Sequence, residues 1–187
     1  MASTRIAQGV SRVPEDVFIE DGMEVVAGGL TVTAGTTTIG GSFVRDLVTL
    51  TATDAITVAE HAGRILLMGE VGGDAAATFT LPAATGSGAE FQFIVSVVNT
   101  SNYIIKVADA TDTIDGSVIL HQDSANTVAS FNTAADSDTI TLNGSTQGGV
   151  SIGDEITLID IATNQYMVKG VLTASGTEAT PFSAAVS

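Results

Sequence analysis

The chain contains no cysteine and no tryptophan. Without cysteine there can be no disulfide, no thiolate metal site and no thiol nucleophile. Aromatic residues make up only 5% of the chain, so a core must be built from Val, Ile, Leu and Ala. Positive charge is scarce: six Lys+Arg stand against 21 Asp+Glu, a net charge of −15. Nucleic acid demands a basic patch, and an anionic membrane surface demands the same, so neither is an expected partner. No apolar run approaches the 18 residues of a membrane span. The first residues, MASTRIAQGVSRVPED, lack the apolar stretch of a secretory signal, which points to synthesis and assembly in a cytosol.

What is abundant favours strands. Thr with Val and Ile suits a pleated, half-buried surface, and Gly suits tight turns. No window carries a sustained apolar pattern at i, i+3, i+4, i+7, so almost no helix is expected. The most apolar stretch is Thr78 to Val107. Phe91, Phe93, Val95 and Val97 alternate onto one face of a strand over 91–98, which should lie in the middle of a packed sheet. The polar turn Asn99–Asn102 then returns the chain as Tyr103–Val107, a central hairpin.

In chain order, residues 1–16 are small, polar and unpatterned. Arg5 and Arg12 precede any acidic residue and are segregated from a strongly acidic remainder. Such a segment is either a loose chain end or an arm that orders on a partner. Residues 17–54 read as short β pieces punctuated by Gly28–Gly29, Ala34–Gly35 and Gly40–Gly41, a stem-like meander. Two weakly similar units there, GGLTV and IGGSFV, are fewer than the three a solenoid needs. Residues 55–187 read as roughly nine short strands at regular spacing. Among them are a strand at 55–59, a tight Asp115–Gly116 hairpin between 113–114 and 117–121, and a hairpin of 155–161 with 165–172. The tail from residue 173 reads as surface. The expected architecture is all-β: an N-terminal arm and short β-meander followed by a β-sandwich or jelly-roll-like domain.

Candidate chemistry is thin. His61 and His121 sit in no ligand spacing, and no GxSxG elbow accompanies them. Asp109, Asp112 and Asp115 recur every third residue, whereas a calcium loop of the EF-hand type needs alternate positions and a later Glu, so solvated turns are the expected reading. Asp136/Asp138 and Asp154/Glu155 read the same way. A pair of acids could serve glycoside hydrolysis, but seven Phe, two Tyr and no Trp make a poor sugar platform. The Gly pairs lack the GxxxxGK[ST] pattern and are turn glycines. No catalytic, metal or cofactor residue is assigned.

TFTLPAATGSGAEFQFIV, IIKVADATDTIDGSV, SDTITLNGSTQGGVSIGDEITLIDIATNQYMV and GTEATPF, within residues 78–182, resemble a module in virion structural proteins of tailed phages, marine ones especially. GGLTVTAGTTTIGG is similar to the repeat of their fibre stems. The resemblance implies a β-rich, trimeric, non-enzymatic particle component and transfers no functional residues. A stem of only two units suits a head decoration (cement) protein better than a tail fibre. Its expected partners are the major capsid protein of the same virion and further copies of itself, and its expected place is the outer surface of the head. Arg5, Ile6, Val10, Arg12 and Val13 of the arm are the candidate capsid contacts. The alternative is a tail-fibre or receptor-binding tip that recognises the host surface.

Overall fold

The computed structural model describes residues 42–69 and 75–186. The arm 1–16, with Arg5, Ile6, Val10, Arg12 and Val13, lies outside the described residues. So do the first stem-like unit, GGLTV, and residues 39–41 of the second, IGGSFV. Contacts divide the chain into two units, with the boundary between Phe43 and Val44.

The unit that starts at Val44 is all-β, as the composition requires. Its first half winds between two sheets. β1 (Leu47–Leu50) belongs to a seven-stranded sheet and β2 (Asp54–Ala55) to a five-stranded one. After a single helical turn, α1 (Val58–His61), the alternation repeats as β3 (Ile65–Met68) with β4 (Ala77–Thr80), then β5 (Glu90–Val95) with β6 (Tyr103–Lys106). Within each sheet the successive strands pair in parallel: β1 with β3 with β5, and β2 with β4 with β6. Parallel neighbours need a crossover, and here each crossover runs through the opposite sheet. The solenoid rhythm thus runs through residues 47–106, and β1 lies within the segment expected to be stem.

The second half is mostly antiparallel. β7 (Thr113–Gln122) pairs with β8 (Val128–Asn132), β9 (Thr139–Leu142) with β6, and β10 (Glu155–Ala162) with both β5 and β11 (Gln165–Ala174). β7 and β11 are parallel over ten residues each. β12 (Phe182–Ser183) closes the five-stranded sheet. The sheet orders are β1-β3-β5-β10-β11-β7-β8 and β12-β9-β6-β4-β2.

One apolar cluster joins the two inner faces. Phe91, Phe93 and Val95 from β5 meet Phe79 from β4 and Tyr103 from β6, all fully buried. Phe79 stacks on Phe93 at 5.9 Å and on Tyr103 at 6.1 Å between ring centres, within the range where offset aromatic pairs attract. The centrality expected of the 91–95 stretch is therefore present.

Several local expectations are corrected. The 91–107 stretch is not a hairpin: β5 and β6 lie in different sheets. The strand stops at Val95, and Val97 is 41% exposed. The crossover is fixed by buried Asn99, whose Nδ2 donates to the Ala75 carbonyl at 3.0 Å while its Oδ1 accepts from the Ser101 N–H at 2.8 Å. The strand expected over 55–59 stops at Ala55, the end of β2. Thr57 and Glu60 stand at capping-box spacing, and the Thr57 hydroxyl accepts from the Glu60 N–H at 3.2 Å, which starts α1 instead. Asp115–Gly116 makes no hairpin either, because β7 runs straight through it. Gly116 is needed for another reason. At φ +146° a Cβ would sit 2.1 Å from the Val168 carbonyl oxygen of β11. The tail is not wholly surface, since Pro181 and Phe182 are buried.

The 155–172 hairpin is present as expected. Asn164, at φ +63°, supplies its left-handed turn residue.

Candidate functional site

The titratable groups found by sequence do not converge. His121 is exposed on β7. His61 is buried on α1, where its Nδ1 accepts from the Thr57 N–H at 3.0 Å, so the imidazole helps close the helical turn. Its Nε2 lies 3.8 Å from Asp54 Oδ2. Asp109, Asp112 and Asp115 are also separated in role. Asp109 caps its own exposed turn through the Thr111 N–H at 2.8 Å, and Asp115 accepts from the Gln165 amide at 2.8 Å. Among the described residues no group of three or more His, Cys, Asp or Glu could hold a metal ion.

Of the acids read as solvated turns, Asp109 and Asp136 are exposed, but three are instead buried. Asp112, Asp138 and Asp154 retain 2%, 5% and 4% of their surface. Each stands immediately before a strand, in Asp112-Thr113-Ile114, Asp138-Thr139-Ile140 and Asp154-Glu155-Ile156. The isoleucine two residues on is fully buried each time. The alternation of a strand carries the Asp to the same inner side as the Ile. There its carboxylate accepts backbone N–H groups from a neighbouring loop. Asp112 takes Ala84 at 3.2 Å, and Asp154 takes Gly149 at 2.8 Å. Asp138 takes Ala185 at 2.8 Å and Val186 at 3.1 Å, which ties down the C-terminal tail.

Asp160 is the most heavily used of these groups. It follows Ile156 and Leu158 on the core side of β10. Its carboxylate accepts from the N–H groups of Thr85 (3.0 Å), Gly86 (2.7 Å) and Ser87 (3.0 Å), and from the Ser87 hydroxyl at 2.6 Å. Gly86, at φ +79°, lets the loop curl around the carboxylate. Burial pushes this carboxyl up, but the Ser87, Gly86 and Thr85 donors outweigh it and hold the pKa at about 2. For Asp112 burial wins over the Ala84 N–H, and for Asp154 it wins over the Thr173, Gly149 and Ser151 donors, so both are raised. Tyr166, whose hydroxyl donates to the Pro82 carbonyl at 2.8 Å, is pushed up by burial and by the nearby Asp160 and Asp112. Sequence reasoning missed Asp160. The available signal was its parity with Ile156 and Leu158. These carboxylates are occupied as loop anchors, which is a structural use.

The surface that remains available is the outer face of the seven-stranded sheet. Here Leu67, Ile94, Glu155, Val171 and Ile119 stand side by side across β3, β5, β10, β11 and β7. Val171 is 50% and Ile119 41% exposed. Ile65, Ile159 and Met167 lie in flanking rows and are half-buried. A shallow depression of about 320 Å³ lies over the Gly170 backbone, lined by Ser117, Ile119, Glu155, Lys169 and Val171; Gly170 itself faces the core, toward Ile156 and Val118. Arg45 reaches over this face to Glu90 at 3.3 Å and also bonds Gln92. The outer face of the other sheet differs. Thr78, Ile104 and Thr141 form one row, and Thr80, Lys106 and Thr139 the next.

No family model matches the chain, and no curated protein matches it.

Proposed function

We propose that the protein is a non-enzymatic structural component of a tailed-phage virion, a head decoration protein that works as a homo-oligomer, a trimer, on the outer capsid surface. The observation that carries this reading is the contrast between the two sheet faces. An antiparallel or mixed sheet that ends in solvent alternates apolar inside with polar outside. The five-stranded sheet does so in the main, with Thr78, Thr80, Lys106, Thr139 and Thr141 around Ile104. The seven-stranded sheet instead presents large apolar side chains outward as well as inward, the pattern of a body built into an assembly. The all-β body, the loop-anchoring use of its buried acids and the likeness of residues 78–182 to phage virion modules support the same reading.

In this proposal residues 1–16 are the docking arm, with Arg5, Ile6, Val10, Arg12 and Val13 reaching into seams between major capsid subunits. Many weak arms acting together give firm attachment by avidity. Deleting residues 1–16 should abolish binding to undecorated heads while leaving the far-ultraviolet β signature and melting temperature of the body unchanged. Full decoration by the deletion variant would remove the arm from the account.

A further inference from the structure

We propose that Asn143 is a latent deamidation site. The folded loop 143–149 holds it shut, and a single reaction in the opened loop removes the native loop for good. The proposal goes beyond the virion reading and does not depend on it.

The chemistry starts from the sequence. Asn143–Gly144 is the one Asn-Gly pair in the chain. Glycine has no side chain to shield its backbone nitrogen and lets the backbone turn freely, so this pair cyclises readily in an open chain. The Gly144 nitrogen gives up its proton to solvent and attacks Asn143 Cγ. The Cγ–Nδ2 bond breaks, and the leaving nitrogen takes a proton from solvent and departs as ammonia. The five-membered imide then takes up one water and opens at either carbonyl, to aspartate or to isoaspartate. The step needs only water.

The fold requires both residues and restrains both reacting groups. Gly144 sits at φ +62°, and a Cβ there would lie 2.2 Å from the Asn99 carbonyl oxygen, so no other residue fits. Asn143 Oδ1 accepts from the Ser145 and Gln147 N–H groups, each at 2.9 Å, and its Nδ2 donates to the Thr146 hydroxyl at 3.3 Å. These bonds close the turn and fix the amide that would be attacked. The attacking nitrogen is held as well, because the Gly144 N–H donates to the Gly148 carbonyl at 3.0 Å. Cyclisation therefore waits until both sets of bonds break together.

The same loop is a junction. Its Ser145 carbonyl accepts from the Ser175 N–H at 3.1 Å and its Thr146 carbonyl from the Ala179 N–H at 2.9 Å. The Gly149 N–H donates to Asp154 at 2.8 Å. The loop thus joins the end of β9 to the segment between β11 and β12 and to the start of β10. An isoaspartyl link puts one extra carbon into the backbone between residues 143 and 144. Gly144, packed against the Asn99 carbonyl, has no room for that shift.

The test uses the full-length wild-type chain, held at mildly alkaline pH either folded or in urea. Mass spectrometry follows the peptide that contains residue 143, and a synthetic standard identifies isoaspartate. In urea Asn143 should convert ahead of the other asparagines. In the folded chain its conversion should be at least about 100-fold slower. Amide exchange at Gly144 should be slowed by the same factor to within about 10-fold, because one opening governs both reactions. Chains converted to isoaspartate in urea and returned to buffer should melt lower than unconverted chains treated alike. Conversion in the folded chain as fast as in urea would overturn the proposal. So would a Gly144 amide that exchanges freely while Asn143 stays intact, since the bond to Gly148 would then not be the lock. Isoaspartate chains that refold and melt like wild type would overturn it as well.

Discussion

Replacing Asp160 by Ala should be among the most damaging single changes in the body. The side chain is 2% exposed and accepts three backbone N–H groups and the Ser87 hydroxyl. The hydroxyl can turn to water, but the three N–H groups lose a charged acceptor fixed in place. Bonds to charged groups contribute about 1.5–3 kcal/mol each where water cannot compensate. Thr85, Gly86 and Ser87 are exposed, so water recovers part of that, and about 1 kcal/mol per N–H is reasonable, or roughly 3 kcal/mol in all. The depressed acidity gives an independent check. A fall from the ordinary 3.8 to about 2 corresponds to roughly 2 kcal/mol of preferential stabilisation of the ionised form in the folded chain. For a domain of this size roughly 3 kcal/mol lowers the melting temperature by about 6–12 °C. Asp160→Asn keeps one acceptor oxygen but turns an amide NH2 toward donors, so it should recover only part of the loss. Differential scanning calorimetry at neutral pH reads both values. Hydrogen exchange at Thr85–Ser87 should accelerate in both variants. A melting shift under about 2 °C for Asp160→Ala would refute the claim that this carboxylate anchors the loop.

Other positions give equally definite outcomes. Gly116→Ala puts a Cβ 2.1 Å from the Val168 carbonyl oxygen; the β7–β11 pairing must open, and chemical denaturation should show a loss of about 3 kcal/mol or more. Tyr166→Phe leaves the Pro82 carbonyl without its 2.8 Å donor and should cost about 1 kcal/mol in the same assay. Stability should respond to pH in two stages. The raised carboxyls of Asp112 and Asp154 bind protons more readily folded than unfolded, so stability should rise as pH falls toward about 4. The lowered carboxyl of Asp160 works in the opposite sense: its contribution is complete above about 4 and is lost as pH falls through about 2. A melting temperature mapped from pH 7 to 2 should therefore pass through a maximum on the acid side, and a monotonic fall from neutrality would contradict this assignment.

The sequence carried the fold class and the central strand because both rest on period-2 alternation, which burial enforces directly. Phe91, Phe93 and Val95 could be placed from their spacing alone. The wiring was hidden, because a turn such as Asn99–Asn102 reads the same whether it reverses the chain within one sheet or carries it into the other. Gly116 misled for a similar reason. Asp-Gly is a strong turn signal, yet here the glycine answers to the carbonyl of Val168, more than fifty residues away in sequence. The buried acids were legible in part. Asp112, Asp138, Asp154 and Asp160 all share parity with core isoleucines or leucines on the strands they precede or occupy. What sequence could not supply was the donors, since the loop that satisfies Asp160 lies some 75 residues earlier. The apolar outer face was hidden in the same way. Ile94 and Ile119 are ordinary strand residues singly, and only the register sets them in one row with Leu67 and Val171.

The most direct test of the functional account is co-sedimentation of the purified full-length protein with undecorated phage heads, with intact host cells as the parallel sample. The account predicts that the protein pellets with heads, saturates at a fixed ratio to capsid subunits and stays in the supernatant with cells. Pelleting with cells but not with heads would contradict it and assign the protein to host recognition at the tail.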